Sequence, residues 1–78
     1  MFVWITHDGK MFNAATERSL VEQLRQDTII QTDNIEEFML MMSCWTKVYN
    51  KAQLDTETPE AFVQSLIDHE LLTKWSRN

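Results

Sequence analysis

A single glycine stands in this 78-residue chain, Gly9, and it follows Asp8 between two runs of β-branched and aromatic residues. Asp-Gly is a strong signal for a two-residue hairpin loop, because a type I′ turn needs positive φ at both central positions. That loop sets Ile5 against Phe12, Val3 against Ala14, Trp4 against Asn13 and Thr6 against Met11. One face then carries Val3, Ile5, Phe12 and Ala14, and the other carries Phe2, Trp4 and Met11 among polar residues. A lone hairpin is marginal in water, so the rest of the chain must cover at least one face. A lone glycine also excludes Gly-rich phosphate loops, and with them the Walker and dinucleotide motifs.

The remainder reads as helices with one further strand. Thr16 or Ser19 opens a first helix whose narrow apolar stripe is Leu20, Val21 and Leu24, ending near Asp27 or Thr28. Ile29 and Ile30 read as connector residues that plug the core. Asp33 or Asn34 opens a second helix running to about Tyr49, with Asp33 and Glu36 spaced as a capping box and Asn50 as a left-handed cap. Ile35, Phe38, Met39, Met41, Met42, Trp45, Val48 and Tyr49 span about half its circumference, so this helix is packed on several sides or shared with a partner. Ala52, Leu54 and Thr56 alternate with polar residues as a third short strand would. Thr58-Pro59-Glu60 starts a last helix with the core stripe Phe62, Val63, Leu66 and Ile67. That helix should end near His69 or Glu70, with Leu71, Leu72 and Trp75 packing as a tail. The fold expected is α+β: a small antiparallel sheet, the N-terminal hairpin plus one strand, packed by three helices in the order ββααβα.

Size and composition bound the rest. Residues 1–78 suffice for one small domain, and a chain of this length buries only about 60% of the surface it exposes unfolded. With 44% hydrophobic residues it belongs to no disordered or low-complexity class. Twelve acids against seven bases give a net charge of −5, which argues against nucleic-acid or anionic-membrane binding by bulk charge. One cysteine rules out an internal disulfide framework, so a reducing, cytoplasmic setting is the expectation. No apolar run approaches the roughly 20 residues of a membrane span, and Met1 to Ile5 lack the basic region of a signal peptide.

Catalytic chemistry has little to stand on. His7 and His69 have no nucleophile or acid placed beside them by any motif. Cys44 lies mid-helix without a second cysteine or flanking histidine, and one Cys with two distant His matches no recurring zinc spacing. No enzyme activity and no cofactor is expected. The favoured reading is a non-catalytic module that binds another protein, possibly itself as a homodimer. Its candidate surfaces are the hairpin face of Phe2, Trp4 and Met11, and a homodimer patch of Leu40, Met41, Cys44 and Val48 on the second helix. Aromatic sheet faces also stack single-stranded RNA, but such surfaces are basic, so direct nucleic-acid binding and membrane binding are not expected. The alternative is an acidic inhibitor or decoy of a nucleic-acid-binding protein, and a small enzyme is third. An apolar binder should be insensitive to salt, and a decoy should lose affinity steeply as salt rises.

Overall fold

The hairpin forms, but around a longer loop than Asp8-Gly9 alone implies. In the computed structural model, which describes residues 2–28 and 31–75, β1 (Phe2–Thr6) pairs antiparallel with β2 (Met11–Ala14). The Gly9 amide donates to the Thr6 carbonyl, and the Thr6 amide to the Lys10 carbonyl, each at 2.9 Å. His7, Asp8 and Gly9 therefore form a three-residue loop, with Gly9 supplying the positive φ, 93°, that such loops need at their last position. The Thr6 hydroxyl braces the loop by donating to the Asp8 carboxylate and accepting from the Lys10 amide.

The extra loop residue shifts the register by one. Phe2 now faces Ala14, Val3 faces Asn13, Trp4 faces Phe12 and Ile5 faces Met11. Because side chains alternate, a one-residue slip turns a strand over. Phe12 and Ala14 stay on the inner face, while β1 turns Phe2 and Trp4 inward and Val3 and Ile5 outward. Trp4 is 1% exposed and anchors the core. The outer face of Phe2, Trp4 and Met11 expected from a two-residue loop therefore does not exist: only Met11 of the three lies outside, beside Ile5.

The sheet's third strand is β3 (Leu72–Trp75), antiparallel to β1 on the side away from β2. The α+β class, with three antiparallel strands and three helices, is the one the sequence implies, but the last two elements exchange places along the chain. Ala52 and Leu54 are buried alternately, as a strand's residues would be, yet residues 52–56 pair with no strand among the described residues. Their polar backbone goes elsewhere: the Asp55 amide donates to Ser65 Oγ at 3.0 Å. The expected tail is the strand instead.

Its entry is a C-terminal cap without glycine. After α3 (Pro59–Asp68), Glu70 takes φ 60°, its amide bonds the Ile67 carbonyl at 3.0 Å and the Leu71 amide bonds the Leu66 carbonyl at 2.8 Å. These two bonds are the Schellman pattern, and they turn the chain back towards β1. The His7 amide then donates to the Leu71 carbonyl at 3.1 Å. Leu72 is buried, whereas Trp75 is exposed rather than packed as a tail.

α1 (Glu17–Asp27) is capped by Thr16, whose hydroxyl accepts from the Ser19 amide at 3.1 Å. α2 (Ile35–Asn50) is capped by Asn34, whose side chain accepts from the Glu37 amide at 2.8 Å, one residue beyond the Asp33 and Glu36 spacing. Its left-handed cap is Lys51 at φ 55°, not Asn50. α3 begins at Thr58-Pro59 as expected, with the Ala61 amide bonded to the Thr58 hydroxyl at 3.0 Å. The core joins Trp4, Ala14 and Leu72 of the sheet to Leu20 and Val21 of α1, Phe38 and Met39 of α2, and Phe62, Val63 and Leu66 of α3. Phe38 meets Phe62 edge-on at 6.5 Å between centroids. The plugging role expected of Ile29 and Ile30 lies outside the described residues. Among the described residues no helix is long and apolar enough to cross a membrane.

Candidate interaction surface

α2 is committed to the core at its N-terminal half and little covered at its C-terminal half. Ile35, Phe38 and Met39 are buried, but beyond Ser43 only Thr46 is, its hydroxyl returned to the Met42 carbonyl at 2.7 Å. The apolar arc of this helix is wider than the sheet and two slender helices can cover. The remainder faces outward: Leu40 is 61% exposed, Trp45 50%, Val48 70% and Tyr49 73%. The Cys44 thiol is exposed within the same stretch. Trp45 and Tyr49, one helical turn apart, pack with their rings tilted 47° and their centroids 5.6 Å apart.

Of the four residues that the sequence marks as a patch, Leu40, Cys44 and Val48 lie exposed along one line of the helix, at four-residue intervals. Met41 is half-buried and packs against the core, so it borders the patch and does not lead it. Trp45 and Tyr49 belong to the wide apolar arc of this helix but not to the patch that the sequence marks. The structure adds them to the outward surface, because neighbouring elements do not reach the last turns of α2. An isolated exposed leucine is ordinary; here several large apolar side chains stand exposed on adjoining turns of one helix.

A second open surface is the outer face of the sheet. Met11 is 63% exposed and Trp75 54%, flanking the half-buried Val3 and Ile5. Both sheet edges are unpaired among the described residues. On the inner face at the β3 edge, the Lys74 ammonium sits 4.1 Å from the centre of the Phe2 ring and 5.1 Å from that of Trp4. A lysine on an edge strand deters further strand pairing.

A cleft of about 220 Å³ opens at the loop end of the hairpin. Its walls are Phe12, Leu24, Phe38, Met42, Phe62 and Leu66. At its rim, Lys10 Nζ and Asp27 Oδ2 form an ion pair at 2.8 Å, and that hydrogen bond raises the lysine's pKa. Asp8, also on the rim, is held below the usual carboxylate range by the Thr6 hydroxyl. These rim charges satisfy one another or a neighbouring hydroxyl, and Cys44 lies outside the cleft. His7 is exposed on the rim, and His69 is the exposed C-terminal cap of α3. Among the described residues no group of three His, Cys, Asp or Glu side chains is arranged to hold a metal ion.

Comparison with protein-family models, with curated proteins and with solved structures gives no match.

Proposed function

We propose that this protein is a non-catalytic interaction module that binds protein through the exposed face of α2, with a second copy of itself as partner. One observation carries the reading: Leu40 and Val48 stand 61% and 70% exposed on one line of α2 with the exposed Cys44 between them, and Trp45 and Tyr49 extend the open apolar surface round the same turns. A small domain has few large apolar side chains, and four of them stand here outside its own core. Their burial against a partner removes apolar surface from water, which is the main favourable term in protein association. An isologous contact is the commonest way for two like chains to bury such a patch. The contact area of one helix face is small, so the association is of modest, micromolar strength.

Sedimentation velocity across a concentration series tests this. The expected result is a shift from monomer to dimer as concentration rises through the micromolar range, preserved when salt is raised. A chain that stays monomeric at high micromolar concentration overturns the reading.

A further inference from the structure

The charges that flank the exposed face of α2 are arranged with opposite signs at its two ends. Glu36 and Glu37 lie in its first turn, while Lys47 and Lys51 lie in its last turn and at its cap. All four are exposed. The ion pairs among the described residues are Lys10–Asp27 and Arg25–Glu22, so none of these four has an ionic partner among them. The apolar line between them is centred on Cys44, with Leu40 four residues before it and Val48 four residues after. Glu37 and Lys51 stand seven residues either side of the same cysteine, about 10 Å along the helix at the usual rise per residue.

We infer that two copies pack α2 antiparallel across a two-fold axis passing at Cys44, with Glu37 of each copy meeting Lys51 of the other. The inference rests on the self-association reading above and adds its geometry. With the axis at Cys44, Leu40 falls level with Val48 of the second copy and Glu37 level with Lys51. The cysteines face one another. An antiparallel dyad brings the same flank of both helices together, so the acidic first turn of each lies against the basic last turn of the other. Parallel packing would instead set Glu37 against Glu37 and Lys51 against Lys51, a repulsion at both ends. It would also align the two helix dipoles, which antiparallel packing opposes. The apolar line supplies the attraction and the end charges select the direction, the division of labour found in paired helices generally.

The test combines a short bis-maleimide linker at Cys44 with charge reversal at the ends. Wild type should give a linked dimer, and Val48→Lys, which removes the association, should not. Glu37→Lys and Lys51→Glu should each weaken the dimer, several-fold to about tenfold. The double variant Glu37→Lys/Lys51→Glu should recover most of the loss, because each reversed charge again meets its opposite. Any cost of either change to its own helix would persist in the double variant, so recovery reports the contact between copies. A dimer in sedimentation that does not link at Cys44, or in which the double variant stays as weak as the single ones, overturns the antiparallel geometry while leaving self-association standing. A monomeric wild type overturns both.

Discussion

The Trp4 indole N–H donates to the Ala14 carbonyl at 3.3 Å, tying the largest side chain of β1 to the last residue of β2 beneath the helices. The bond exists because the hairpin loop has three residues, which turns Trp4 inward. Trp4→Ala should therefore cost about 3–5 kcal/mol, the range for truncating a core aromatic, against a total of only about 5–15 kcal/mol for a typical domain. Met11→Ala, on the open side of the sheet, should change stability by less than about 0.5 kcal/mol. Thermal unfolding followed by circular dichroism distinguishes them. Equal midpoints for the two variants would place Trp4 outside the core.

Gly9 has open space around it: a Cβ there would meet nothing within 4 Å. Its requirement is its backbone, at φ 93°. Gly9→Ala should destabilise by about 1 kcal/mol through conformational strain alone. A shift in the urea midpoint with unchanged slope is expected. No shift would mean that the loop adopts another form.

Glu70 presents the reverse case, a side chain at φ 60° where the Schellman cap of α3 favours glycine. It is exposed, so its replacement removes no buried contact. Glu70→Gly should raise stability by about 0.5–1 kcal/mol, the relief of left-handed strain less the extra entropy of glycine in the unfolded chain. A loss of stability in urea unfolding would show that the carboxylate has a role of its own.

These two positions also show where the sequence was readable. Gly9 announced the hairpin and Thr58 the last helix start, while the first two starts were narrowed to Thr16 or Ser19 and to Asp33 or Asn34, because each supplies a local physical need that few residue types meet. Loop length was not announced. Asp8-Gly9 suits two-residue and three-residue loops alike, and the choice between them turned over β1 and with it the fate of Trp4. The sharp return into β3 was hidden because Glu70 occupies a position where glycine would have given it away. The alternation at Ala52 and Leu54 was real burial, but the Ala52 amide bonds the Thr46 carbonyl and the Asp55 amide the Ser65 hydroxyl, not a neighbouring strand. On α2, helical angle gave the exposed line of Leu40, Cys44 and Val48. It missed Trp45 and Tyr49 because angle describes a face, and only the tertiary structure shows how far along the helix that face is covered.

The acid limb of stability has identifiable contributors. Hydrogen bonding from Thr6 holds the Asp8 carboxyl low, and hydrogen bonding from the Arg25 guanidinium does the same for Glu22, with Nη2 and Oε1 2.6 Å apart. A carboxylate depressed in the folded state stabilises the fold above its unfolded pKa, and that contribution is lost as pH falls through the folded value. Asp8→Asn and Glu22→Gln should each lower the midpoint near neutral pH slightly and flatten its decline in acid. Lys10, raised by Asp27, acts in the opposite sense: its contribution is full below its unfolded pKa and is lost as pH rises through the folded value. These groups are at the surface, so added salt should shrink all three effects. Thermal midpoints measured across pH check this, and variant curves parallel to wild type would remove these residues from the account.

The proposed association uses α2 and not the open face of the sheet. Each surface exposes large apolar side chains, Val48 and Tyr49 on one, Met11 and Trp75 on the other. Sedimentation equilibrium of Val48→Lys beside Met11→Lys separates them. Each variant adds one lysine at a solvent-exposed position and should keep the helix content of wild type. Val48→Lys should be monomeric where wild type is dimeric, and Met11→Lys should dimerise as wild type does. A dimer that survives Val48→Lys and is lost in Met11→Lys would assign the interface to the sheet instead.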